Sequence, residues 1–189
     1  MPPADPRLSP EQRALLLGVA REAILAHLGA GRVEALPTAD SALNAPGAAF
    51  VTLRKRRSLR GCIGFLHAVK PLVEAVAHCA VSAATADPRF PPVRVEELPH
   101  LSLEISVLSP LTALPDPSAL EVGRHGLFVS KDGRHGLLLP QVAVEYGWDR
   151  VTFLRQTCLK AGLPPEAWEQ GADLQVFTVE CFGDDRPLA

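Results

Sequence analysis

Residues 48–64, AAFVTLRKRRSLRGCIG, decide the fold. Ala48 to Arg54 and Ser58 to Gly64 read as the two strands of a β-hairpin. The tip is Lys55-Arg56-Arg57. Three like charges there form either a solvated turn or a hold on an acidic partner or a phosphate. Side chains two residues apart on a strand share a face. Arg60 and Cys62 are therefore expected on one face, with Gly61 and Ile63 on the other. Gly64, and less strongly Gly61, permits close backbone approach or a bulge. An arginine beside a cysteine favours the thiolate. The same stretch is thus the candidate reactive site.

Working upstream, Ser9-Pro10-Glu11-Gln12 carries a capping serine, a first-turn proline and the glutamine of a capping box. The helix it starts has Leu17, Ala20, Ile24 and Leu28 at helical spacing and ends near Gly29 to Gly31. A polar loop through Pro37, Asn44 and Pro46 leads into the hairpin. Downstream, Pro71 opens a helix, apolar almost all round, that runs to about Ala86. Its polar residues Glu74, His78 and Ser82 form one stripe. Asp87-Pro88-Arg89-Phe90-Pro91-Pro92 ends it in a stiff loop. Leu101 to Leu108 alternates apolar and polar residues, as a strand with one buried face does. Pro110, Pro115 and Pro117 then mark a loop and a candidate boundary between lobes.

A short repeat follows, Gly123-Arg124-His125-Gly126-Leu127 and Gly133-Arg134-His135-Gly136-Leu137. Asp132-Gly133 between the copies is a hairpin turn signal. Pairing Lys131 with Arg134 sets His135 opposite Ser130, five residues or roughly 16 Å from His125. That is too far for two ligands of one metal ion, so no metal site is assigned. Pro140 begins a short helix, and Asp149 caps another that closes at Gly162. Cys158 falls in the apolar stripe of the latter and reads as a packed thiol. Trp168 lies in a further turn and short helix. Leu174 to Phe182 reads as a final strand with Cys181 in the core. Two hairpins in this order favour an α+β fold with a mainly antiparallel sheet and packed helices.

The chain has 189 residues, of which 47% are apolar, enough for one domain or two small lobes. A net charge of −2 gives no electrostatic case for nucleic acid or an anionic membrane. No apolar run reaches spanning length. No signal peptide is read, so the cytoplasm is the expected compartment. The four cysteines, Cys62, Cys79, Cys158 and Cys181, form no C-x-x-C pair and are expected as reduced thiols. Phosphate-loop, nucleophile-elbow, zinc-protease and dinucleotide fingerprints are all missing.

Leu59 to Gly64 resembles the R-G-C-I-G signature of the AMMECR-type domain, known in prokaryotes as AmmeMemoRadiSam system protein A. Further matching segments follow in order: Asp87 to Phe90, Glu97 to Leu101, Glu104 to Ser109 and Gly136 to Ala143. Phe153-Leu154, Cys158, Lys160 to Leu163 and Trp168 complete the set. The resemblance covers about Glu11 to Phe182. It implies two unequal lobes with a cleft between them. It also implies partnership with a Memo-like protein, related to dioxygenases, and with a radical-SAM protein. No catalytic activity or cofactor comes with it. The expected organisation is a loose tail at residues 1–8, one two-lobed domain over 9–183 and a C-terminal tail at 184–189.

Two functions follow from these residues. In the first the chain is a catalytic or substrate-binding component. Cys62 is nucleophile or covalent anchor, and Arg60 activates it or grips an anion. Glu104 is acid, base or ligand, while Asp87, Arg89 and Gln141 orient substrate. No histidine is placed beside Cys62 by the sequence. Each of these residues also has a structural alternative: Cys62 as small core filler, Arg60 and Glu104 as a cross-strand ion pair, Asp87 and Arg89 as loop bracing. In the second function the chain is a scaffold that docks its partners through the Trp148 and Trp168 regions. A thiol redox sensor is a weaker third reading, with no resolving cysteine nearby in sequence.

Overall fold

The computed structural model describes residues 8–30, 39–184 and 186–188. Along the chain the elements are α1 (Pro10–His27), α2 (Ser41–Asn44), β1 (Pro46–Lys55), β2 (Ser58–Gly64), β3 (Lys70–Pro71) and α3 (Leu72–Thr85). Then come β4 (Leu101–Leu108), β5 (Thr112–Ala113), β6 (Gly126–Lys131), β7 (Arg134–Leu138), α4 (Pro140–Glu145), α5 (Arg150–Lys160), β8 (Asp173–Phe177) and β9 (Val179–Asp184). The fold is α+β, in two compact units. Of the described residues the larger holds 8–30, 39–108, 180–184 and 186–188, and the smaller holds 109–179.

In the larger unit the strands run in the order β2-β1-β4-β9, with β3 added at the start of β1. The hairpin β1–β2 and the pair β1–β4 are antiparallel. Val51 and Leu53 of β1 and Leu103 and Ile105 of β4 share a core with Leu16 and Ile24 of α1 and Val76 and Ala80 of α3. Helix α1 starts where the sequence indicates. Ser9 Oγ accepts from the Gln12 amide at 3.2 Å, and Gln12 Oε1 accepts from the Ser9 amide at 2.8 Å. Gly29 follows its end at φ 74°. Gly61 faces α3 so closely that a Cβ there would lie 2.0 Å from the Ala83 carbonyl oxygen. Only glycine lets strand and helix meet at that distance.

The smaller unit has the sheet order β5-β8-β6-β7. Its core gathers Leu127, Val129, Phe153, Leu154, Cys158 and Val176. The β6–β7 register is as the sequence indicates, with Lys131 opposite Arg134 and Ser130 opposite His135. Asp149 caps α5 through the Thr152 amide at 2.7 Å. Arg134 donates to the Gly162 carbonyl at 2.8 Å, satisfying an acceptor just past the end of that helix. Gly136 lies against Ala161, whose amide nitrogen a Cβ would approach to 2.5 Å.

Four expectations are corrected. The loop before β1 contains a one-turn helix, α2, capped by Asp40; Pro37 lies outside the described residues. The final strand is two strands, for β8 joins β6 and β5 while β9 joins β4. The switch falls at Thr178, whose amide donates to Ser109 Oγ and whose carbonyl accepts from the Ser109 amide. Cys181, expected in the core, is exposed on β9. The C-terminal tail expected from residue 184 is tied in: Leu188 is buried in the larger core, and its amide donates to the Leu98 carbonyl. Of the loose N-terminal tail at 1–8, residues 1–7 lie outside the described residues, and the Leu8 amide donates to Glu180 Oε2.

Candidate functional site

The β1–β2 ladder starts regularly at Lys55 opposite Ser58 and Arg54 opposite Leu59. It then shifts by one, so that Leu53 faces Gly61 and Thr52 faces Cys62. Arg60 is the extra residue of this β-bulge. Without the shift Cys62 would stand opposite Val51, which belongs to the buried core. A one-residue slip moves every later side chain to the other face of a sheet. The bulge therefore transfers Cys62 from the hydrocarbon side to the side of Thr52, where it is partly exposed. The Thr52 hydroxyl donates to Cys62 Sγ at 3.2 Å. Thr52 also faces Glu104 on β4, so Cys62, Thr52 and Glu104 form one row across three strands.

The bulge also separates Arg60 from Cys62, contrary to the expectation that they share a face. Arg60 grips Glu97 with both arms of its fork, Nε to Oε2 at 3.0 Å and Nη2 to Oε1 at 2.9 Å. Lys55 Nζ joins the same carboxylate at 2.9 Å. Hydrogen bonds from Arg60, and after the cost of burial those from Lys55, pull the Glu97 carboxyl down to about 2. The cross-strand pair considered for Arg60 and Glu104 does not form. Glu104 instead has Arg54 at 3.6 Å.

Asp87 and Arg89 hold the backbone of Cys62 from the loop after α3. The Cys62 amide donates to Asp87 Oδ2 at 2.9 Å, and Arg89 Nη2 donates to the Cys62 carbonyl at 3.3 Å. Arg89 also locks Asp87, with Nε on Oδ1 at 2.9 Å and Nη2 on Oδ2 at 2.7 Å. The Asp87 side chain is 2% exposed, whereas that of Arg89 is 54% exposed. The Arg89 hydrogen bonds above all, opposed by burial and helped by the Cys62 amide, hold the Asp87 carboxyl well below the usual range. Arg89 is held protonated chiefly by Asp87 and, last among the causes, by charge at Cys62. Two guanidinium groups lie over the Phe90 ring, Arg89 at 5.6 Å and Arg60 at 6.0 Å from its centre.

The larger unit thus brings together Cys62, Asp87 and Arg89, with Glu104 in the Cys62 row, and sets Arg60 apart on Glu97. Gln141 belongs to the smaller unit, where its Oε1 is buried with no hydrogen-bond partner among the described residues. Sequence reasoning missed Thr52 and Glu97. Thr52 is found only once the bulge is counted, and Glu97 only by asking which acid neutralises a buried Arg60. Burial pushes Cys79 up to about 11 and also pushes Cys158 up. Cys181 is exposed, yet the atoms crowding its sulfur, and then the Glu104 carboxylate, push its thiol up.

Among the described residues no group of three or more His, Cys, Asp or Glu could hold a metal ion. His125 Nδ1 accepts from the Glu121 amide, and His135 packs on Phe128. Nor is any described helix long and apolar enough to cross a membrane.

Fold and site define an α+β protein that displays one clamped thiol on the polar face of an antiparallel sheet. Comparison with known proteins gives it a family: AMMECR1 matches residues 17–182, and the chain belongs to that family. It is 44% identical to a protein of Methanopyrus kandleri over 96% of this chain and 92% of that one. It is 46% identical to one of Aeropyrum pernix over 93% and 80%. The crystal structure of an uncharacterized protein from Pyrococcus horikoshii matches with a TM-score of 0.82 at 42% identity, covering 91% of each chain.

Proposed function

We propose that this chain is a substrate-binding or catalytic component in which Cys62 is the nucleophile or covalent anchor for a small anionic substrate. The observation that carries this reading is the double hold on the Cys62 backbone. A buried carboxylate takes its amide and a half-exposed guanidinium takes its carbonyl, while the side chain stays partly open to solvent. Fixing a reactive atom to a narrow geometry is what positioning for chemistry demands. Arg89, still cationic and exposed, grips the anion. In the step itself the sulfur bonds to an electrophilic carbon. The thiol proton passes to the substrate atom that receives the displaced electron pair. Glu104 stands two strands away, about 10 Å by strand spacing, so it serves a substrate lying along the row rather than the thiol directly. Asp87 positions Cys62, and Arg60 braces Glu97. Gln141, on the smaller unit, is given no part in this step. The partners are the Memo-like and radical-SAM proteins that the resemblance implies.

A second reading, a scaffold for the same partners, has one observation in its favour. Tyr146 stacks on Trp148 at 5.0 Å and is 69% exposed, with Val144 exposed beside it in sequence. Aromatic surface of this kind suits a partner. Iodoacetamide labelling of the native protein tests the first reading. Cys62 should react before Cys79, Cys158 and Cys181, and Cys62→Ser should abolish product formation in a deletion strain while leaving partner co-purification intact. If Cys62 labels no faster than the buried thiols, the catalytic role is lost. If Tyr146→Ala breaks co-purification while Cys62→Ser leaves pathway output unchanged, the scaffold stands.

A further inference from the structure

The hairpin that carries Cys62 turns at Arg56 and Arg57, and both adopt positive φ, 50° and 71°. The smaller unit makes the same kind of two-residue turn at Asp132 and Gly133, with φ 51° and 76°. Such turns favour Asn, Asp and Gly, and a long side chain resists the left-handed backbone. One molecule therefore builds this turn twice, once from residues that suit it and once from a pair that does not. Strained backbone is kept where something other than the turn requires those side chains. Both arginines are exposed, and neither side chain has a hydrogen bond or ion pair among the described residues.

Arg56 and Arg57 line a cavity of about 370 Å³ together with Pro99, His100, Leu101, Ser102 and Pro187. All seven belong to the larger unit. The wall carries two permanent cations, an imidazole and a hydroxyl, and its lining includes no carboxylate. Glu97, a nearby acid in sequence, is already shared by Lys55 and Arg60. The exposed Pro99 and Pro187 supply apolar surface. The volume falls within the roughly 300–1,000 Å³ of small-molecule sites. From the turn to Cys62 is roughly 15 Å along the strand, so this pocket is separate from the thiol.

We propose that this pocket binds a small organic phosphate, with the phosphoryl group between the Arg56 and Arg57 forks and the organic part on Pro99 and Pro187. Guanidinium forks match phosphate oxygens two by two, and His100 and Ser102 add donors. Isothermal titration calorimetry in phosphate-free buffer tests it, with inorganic phosphate, adenosine monophosphate and citrate as probes. The wild type should bind both phosphates, and adenosine monophosphate more tightly. The double variant Arg56→Asn, Arg57→Gly installs the residues that the turn prefers. It should weaken phosphate binding by about tenfold or more while Tm rises by about 4 °C. A merely structural pair of arginines would show the rise without any binding to lose. The proposal is overturned if the wild type binds neither phosphate up to about 10 mM, if the double variant binds as well as wild type, or if citrate competes as tightly as adenosine monophosphate.

Discussion

Replacing Asp87 by asparagine tests the clamp on Cys62. The carboxylate takes four hydrogen bonds: from the amides of Cys62 and Arg89, and from Arg89 Nε and Nη2. Asparagine keeps the volume but offers one acceptor oxygen, and its NH₂ meets donors whichever way it turns. If the oxygen stays with Arg89, the Cys62 amide is left unmet, at a cost of about 1–3 kcal/mol. The guanidinium is half exposed and rehydrates, so its lost ion pair adds only about 0.5–1 kcal/mol. Together these give about 2–4 kcal/mol at neutral pH, or a Tm lower by about 5–15 °C for a chain of this size. The sign of the pH dependence follows from linkage. The native carboxyl titrates well below the unfolded value of about 3.9. Its stabilisation is therefore complete above that value and drains away as pH falls, by about 1.3 kcal/mol between pH 6 and pH 3. The replacement amide does not titrate, so the gap between wild type and Asp87→Asn should narrow by that amount. Urea unfolding followed by circular dichroism at both pH values measures it. A gap under about 0.5 kcal/mol at pH 6, or one that holds or widens toward pH 3, refutes the clamp.

Gly61→Ala sets a Cβ 2.0 Å from the Ala83 carbonyl oxygen, which is backbone and does not yield. A loss of about 3 kcal/mol is expected in urea unfolding, and a change within about 0.5 kcal/mol would contradict the close contact of β2 with α3. Leu188→Ala should cost about 2 kcal/mol, because this side chain is 2% exposed in the larger core. An unchanged Tm would mean that the C-terminal residues hang free.

Much of the local structure was legible because its causes lie close together in the chain. The Ser9–Gln12 box, the Asp132-Gly133 turn and the Leu101–Leu108 alternation each need only neighbours within a few residues. The misreadings share the opposite property. The slip at Arg60 depends on Ala83 pressing against Gly61 and on Glu97 drawing the guanidinium away, both more than twenty residues off. The break at Thr178 depends on Ser109, which lies 69 positions earlier. Leu188 reads as a stray apolar residue until Leu98 receives its amide. At the candidate site, R-G-C-I-G led to the cysteine whose backbone Asp87 and Arg89 hold. The cation beside it was misassigned because a two-residue period cannot register a bulge.

Among the described residues the smaller unit is one continuous stretch, 109–179, inserted in sequence between two parts of the larger one. On a ribosome the order of completion is therefore inside out. All of the inserted unit's strands exist before β9 is synthesised, and until then one edge of β4 has no neighbour. Transcripts that stop near residue 179 would yield a finished inner unit attached to a sheet with a bare edge, the form most prone to pair with another chain.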